Sequence, residues 1–167
     1  PNVICGNANS MLPSATPYHF GMLCSTMHNA WMRAVAGRLE SRYRYSNTIV
    51  YNNYPWPQPL ADKPRQAVEA AAQTVLDARQ REFDLCAKAG QHASMALLYN
   101  PDTMPAELAR AHAALDRTVD AAYGYKGGKD DASRVAFLFG LYQQLAAPLD
   151  VPARPTRRRR AKPLDNS

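Results

Sequence analysis

Prolines at 55, 57 and 59, set around Trp56, constrain this chain more than any other feature. Each lacks a backbone N–H and fixes φ, so no strand entering this run can continue into a sheet interior. The run therefore closes one folding unit near residue 60 and opens another. Ahead of it, Tyr43 to Tyr54 carries Thr48, Ile49, Val50 and Tyr51, a β-branched and aromatic content that reads as a strand. Earlier still, Phe20, Leu23, Met27, Ala30, Trp31, Ala34 and Val35 recur at three- and four-residue steps. That is the stripe of one amphipathic helix beginning at Tyr18, with Trp31 in the core and Gly37 as its stop. Short strands near Asn2 to Cys5 and Ser10 to Leu12 are expected before it.

Beyond the prolines the pattern is helical. Asp62 is placed to cap a helix burying Val68, Ala71, Ala72, Val75 and Leu76, with Pro64 tolerated in its first turn. Phe83 to Tyr99 is interrupted by Gly90 and reads as a loop with a short helical turn. A further helix from Pro105 to Ala122, capped by Thr103, buries Leu108, Ala111, Leu115, Val119 and Ala122 and stops at Gly124. Another, from about Ser133 to Leu145, buries Val135, Leu138, Phe139, Tyr142 and Leu145. Pro152, Pro155 and the four arginines from Arg157 to Arg160 leave no apolar face, so 151–167 is expected to be a disordered basic tail. The fold class is α+β: strand-helix-strand over 1–60, a mainly helical domain over 61–150, then the tail.

The net charge of +6 is unevenly spread. Residues 1–60 carry four arginines against Glu40 alone, 61–150 carry ten basic and twelve acidic side chains, and 151–167 carry six basic and one acidic. The middle is thus no polyanion binder by composition, and the two ends are the candidates. Cys5, Cys24 and Cys86 are odd in number and widely spaced, which fits a reducing cytoplasm better than a disulfide framework. Cys24 and His28 lie four apart on the expected helix, but no second ligand pair completes a zinc site. No apolar run is long enough to span a bilayer, no signal peptide precedes Pro1, and the start without methionine suggests the carboxy-terminal piece of something larger.

Catalytic chemistry is thin. Gly124-Tyr-Lys-Gly-Gly128 follows a helix and lacks the strand-loop-helix setting of a phosphate cradle. His19, His28, His92 and His112 are scattered. Asn52-Asn53-Tyr54-Pro55 has the residues of an amino-methyltransferase Asn-Pro-Pro-Tyr loop in the wrong order, with no proline after either Asn. Gly37 to Pro57, by contrast, combines three arginines, one carboxylate and five aromatics, a mixture suited to touching DNA.

The segments Tyr18 to Val35, Gly37-Arg-Leu-Glu-Ser-Arg-Tyr-Arg-Tyr-Ser46 and Val50-Tyr-Asn-Asn-Tyr-Pro-Trp-Pro57 closely resemble the end of the target recognition domain of MmeI-type restriction-modification enzymes. Thr103-Met-Pro-Ala-Glu-Leu, Ala113 to Gly124 and Arg134-Val-Ala-Phe-Leu-Phe resemble that family's carboxy-terminal helical domain. The resemblance implies a parent DNA adenine-N6 methyltransferase using S-adenosylmethionine, in many members fused to a nuclease. The catalytic loop and cofactor pocket would lie upstream, so this chain would read DNA without binding the cofactor.

The resemblance also implies that Glu40 and Arg42 read one base pair, since members with Lys and Asp at these positions read the inverted pair. The chemistry agrees: Glu40 can accept from cytosine N4 while Arg42 donates to guanine O6 and N7. The plain alternative is a local Glu–Arg salt bridge on an exposed helix end. Arg33, Arg38 and Arg44 are expected on phosphates, with Ser41, Asn52 and Asn53 as backbone or adjacent contacts. Tyr43 and Tyr45 are assigned to strand packing. The expected partners are double-stranded DNA and the upstream methyltransferase domain, with no membrane. A rival reading is a non-catalytic helical protein-interaction subunit with a basic tail.

Overall fold

The computed structural model describes residues 9–58 and 61–147. Its elements run α1 (Pro17–Cys24), α2 (Thr26–Val35), β1 (Gly37–Leu39), β2 (Arg42–Arg44), a π-helical turn (Asn47–Tyr51), α3 (Asp62–Lys88), α4 (Met95–Leu98), α5 (Ala106–Tyr123) and α6 (Asp131–Ala146). The result is α+β with little β: among the described residues one antiparallel hairpin is the whole sheet. The strand expected near residues 2–5 and the tail at 151–167 lie outside the described residues, and residues 10–12 form no strand.

The single helix expected from Tyr18 is two. Ser25 is fully buried with extended backbone (φ −72°, ψ 156°), and its hydroxyl donates to the Met22 carbonyl (2.7 Å) while accepting from the His28 N–H (3.3 Å). It thus ends α1 and caps α2, an alternative to the helical ladder that serine offers its own backbone. The carboxylate of Asp116, on α5, accepts from the Thr26 N–H (2.8 Å) at the opening of α2. Gly37 is no helix stop: α2 ends at Val35, and Gly37 is already a strand residue.

The strand expected over 43–54 shrinks to the three residues of β2. The Ser46 hydroxyl accepts from the Ile49 N–H (3.4 Å), and the Asn53 amide donates to the carbonyls of Thr48 (3.0 Å) and Ile49 (3.1 Å). These short side chains satisfy the local backbone and close the π-turn, overriding the β-branched composition. Gly90, conversely, does not interrupt helix formation but completes it. It takes φ +66° just after α3, and the Gly90 and Gln91 N–H groups bond back to the Ala87 and Cys86 carbonyls, so α3 runs on to Lys88. Asp62 sits inside the first turn and Pro105 in the cap position of α5, so neither Asp62 nor Thr103 is the cap expected.

α3 packs between α1 and α5, and α2 packs against α6. Met22, Met27, Trp31, Val50 and Tyr54 join Val68, Val75, Leu108, Leu115, Val119 and Leu138 in one apolar cluster. The residues before and after the proline run thus share a core. Gly21 allows the close crossing, since a Cβ there would meet Ala72 Cβ and Val68 Cγ1 at 3.0 Å and Leu115 Cδ1 at 3.2 Å. α6 departs from expectation: Phe139, Tyr142 and Leu145 are exposed, Val135 is half-buried, and the buried residues are Leu138 and Arg134. Arg134 is buried because its guanidinium donates to both oxygens of Asp120 on α5. A charge enters the interior only with such a partner.

Candidate nucleic-acid interface

β1 and β2 pair with Gly37 opposite Arg44, Arg38 opposite Tyr43 and Leu39 opposite Arg42, leaving a two-residue loop of Glu40 and Ser41. Directly paired residues share a face and successive residues alternate. One face therefore carries Leu39, Arg42 and Arg44, with Gly37 adding no side chain to cover Arg44. The other carries Arg38 and Tyr43, continued by Tyr45. All six strand residues are exposed, so the hairpin projects from the body instead of packing on it.

The second face is tied down. The Arg38 guanidinium lies 4.4 Å from the Tyr43 ring centroid and donates to its hydroxyl (2.9 Å). The Tyr45 hydroxyl meets His28 Nε2 at 3.1 Å, and the His28 ring stands edge-on to Tyr54, centroids 4.6 Å apart. Burial pushes His28 down to about 4, keeping this foot of the hairpin neutral. Tyr43 thus packs on its cross-strand partner Arg38, as expected of a strand residue, while Tyr45, just beyond β2, is fixed by His28.

Glu40 and Arg42 sit at the hairpin tip, not on a helix end. The Arg42 guanidinium donates to Glu40 Oε2 (3.0 Å), with side-chain exposures of 79% and 73%. So open a pair adds little stability. Its other carboxylate oxygen and remaining N–H groups stay available, an acceptor and a fork side by side. Glu40 also has φ +57°, a left-handed conformation that non-glycine residues adopt at a cost of roughly 1–2 kcal/mol. Only the first loop residue has positive φ, at the position a type II′ hairpin turn gives to glycine.

Of the remaining site residues, Arg44 and Ser41 are exposed on the hairpin. Asn52 is exposed just after the π-turn, beside a cleft of about 530 Å³ lined by Met11, Leu12, Leu23, Met32 and Tyr45 among others. Asn53 spends its amide N–H groups on the π-turn. Arg33, on α2, is engaged elsewhere: its Nε and Nη2 fork both oxygens of Asp131 at 2.6 and 2.8 Å. Asp131 lies 98 positions away, and nothing in the local sequence signals the pairing. The His28–Tyr45 foot and the place of Leu39 on the face shared with Arg42 and Arg44 also escaped sequence reasoning. Only strand register reveals Leu39, and the register depends on a two-residue loop without the usual Asn-Gly or Asp-Gly signal. Among the described residues no group of three or more His, Cys, Asp or Glu is placed to hold a metal, and no helix is long and apolar enough to cross a membrane.

Residues 1–58 match the family model described as the MmeI target recognition domain, and residues 60–150 match that of the MmeI C-terminal domain. The chain is 38% identical over 144 residues to DNA methyltransferase A of Bacillus subtilis (strain 168), covering 86% of this chain and 15% of that protein. A solved structure of the type IIL restriction-modification enzyme MmeI in complex with DNA matches with a TM-score of 0.72 and 50% identity, over 81% of this chain and 17% of that one. The chain thus spans about one-sixth of the length of these relatives.

Proposed function

The chain belongs to the MmeI family, and from that premise we propose that it is the sequence-reading end of a site-specific DNA adenine-N6 methyltransferase of a restriction-modification system. Its partner is duplex DNA, and its work is to hold the target so that an upstream catalytic domain can flip and methylate an adenine. The observation that carries this reading is the exposed Glu40–Arg42 pair at the tip of a projecting two-stranded ribbon. Such a ribbon fits the major groove, where the two side chains address the cytosine amine and the guanine edge of one C·G pair. Arg38, Arg44, Ser41 and Asn52 supply backbone or adjacent contacts around it, with Asn53 holding the π-turn beside them. A fusion to an endonuclease is part of the same reading of the parent, as is a cytoplasmic setting.

S-adenosylmethionine is the parent's cofactor in this reading, and the cleft beside the hairpin does not fit it. Among the described residues no carboxylate lines that cleft to receive the cofactor's ammonium group or ribose hydroxyls. In this reading the cofactor is held upstream of these residues. The decisive experiment measures binding of duplexes that differ only by C·G or G·C at each position of a bound site. Glu40→Lys with Arg42→Asp should invert the preference at one position by about tenfold or more, each good base contact being worth roughly 1–3 kcal/mol. An unchanged preference would remove the assignment.

A further inference from the structure

Resting on the reading of the hairpin as the DNA-contacting element, we propose that the Arg33–Asp131 fork is a brace that sets the direction in which the hairpin leaves the body. Asp131, on the helical part, is then a positioning residue for recognition, acting through Arg33. The strands themselves do little to orient the hairpin, since all six of their residues are exposed and the Tyr45–His28 contact holds it at the foot. Its direction follows from the end of α2, and Arg33 lies four residues before Gly37 on that last turn.

The support under Asp131 is firm. Asp130 caps α6, accepting from the Ser133 N–H and hydroxyl at 2.8 Å each, and Asp131 opens the helix where its dipole favours a carboxylate. One turn on, Arg134 locks α6 to Asp120 of α5. Trp31 of α2 rests against Phe139 and Tyr142 of α6, with ring centroids 5.2 and 6.0 Å apart, so the fork closes a packed α2–α6 contact. Most surface ion pairs contribute little, but a two-bond Arg–carboxylate fork adds fixed geometry to its energy. A phosphate could engage Arg33 only by sharing or displacing that carboxylate, so the brace replaces the phosphate contact expected from the sequence.

The test uses the full 167-residue chain with Asp131→Asn, Arg33→Gln and the exchanged pair Arg33→Asp with Asp131→Arg. Residual dipolar couplings of the amides of 37–44 report hairpin orientation relative to α6 without any DNA. They should fall to about half in both single variants through reorientation and averaging, and recover in the exchanged pair. Duplex affinity should weaken by about tenfold in the single variants at unchanged salt slope, because preorganisation is lost and not a charge contact, and recover in the exchange. The brace is overturned if the couplings ignore Asp131→Asn. It is equally overturned if Asp131→Asn tightens binding while Arg33→Gln flattens the salt slope by about one and the exchange restores nothing, the signature of a phosphate contact. Should the wild-type chain bind no duplex, the DNA reading fails, while the couplings still decide whether the fork directs the hairpin.

Discussion

The hairpin and the helical core solve opposite problems. Around Gly21 the backbones of α1 and α3 approach so closely that one extra carbon would collide with Ala72, Val68 and Leu115, whereas at the hairpin tip Glu40 and Arg42 touch little beyond each other. The first region is specified by shape, where a methylene is felt. In the second, chemistry can change with little cost to folding, even though Glu40 holds an unfavourable backbone conformation. Strain kept at an exposed tip is a common mark of a working site.

Three experiments sharpen or break this contrast. The largest effect belongs to Trp31→Ala, which empties a buried site where the indole N–H donates to the Val50 carbonyl (3.0 Å) and the ring meets Tyr54, Phe139 and Tyr142. Denaturant unfolding should show a loss of about 3–5 kcal/mol. A loss below about 1 kcal/mol would mean that the two parts do not share the core described.

Next comes acidification. His28 falls from 6.5 unfolded to about 4 folded because burial disfavours its charge. Between these values the unfolded chain binds more protons, so stability rises with pH and is lost as pH drops from 6.5 toward 4. The shift corresponds to about 3 kcal/mol in order of magnitude. His112, also lowered mainly by burial, acts in the same direction. Asp131, held low by Arg33, loses its contribution only below the ordinary carboxylate range, so the histidine window stands clear of it. Unfolding curves from about pH 7 to about pH 4.5 should slope accordingly and flatten in His28→Gln. Identical slopes in both proteins would refute the assignment to His28.

The smallest effect is also the most diagnostic. Glu40→Gly relieves the positive φ and should leave stability unchanged or raise it by up to about 1 kcal/mol, while discrimination at the contacted base pair disappears. Loss of stability in that variant would show that the tip carries structural weight after all.

How far the sequence disclosed all this depended on how far each residue's partner lay. Val68, Ala72 and Val75 on α3 and Leu108, Leu115 and Val119 on α5 announce themselves by helical spacing, and all are buried. Trp31 was legible for the same reason. Ser25, Ser46 and Asn53 misled because a hydroxyl or amide bonding to nearby backbone redirects the chain while composition still favours helix or strand. α6 misled differently: its apolar stripe gives way to Arg134, whose burial depends on an aspartate from another helix. Of the candidate site, Glu40 and Arg42 were singled out through family resemblance, and their exposure at a strained turn became visible only in three dimensions.

The shared interior carries a practical consequence for anyone wishing to transplant the hairpin into another scaffold. Severed after Gln58, the amino-terminal piece would expose Met22, Met27 and Trp31, which are sheltered in part by helices encoded further on. A portable cassette must carry α3, α5 and α6 with it, so the exposed tip is more readily changed by altering side chains than by moving whole segments.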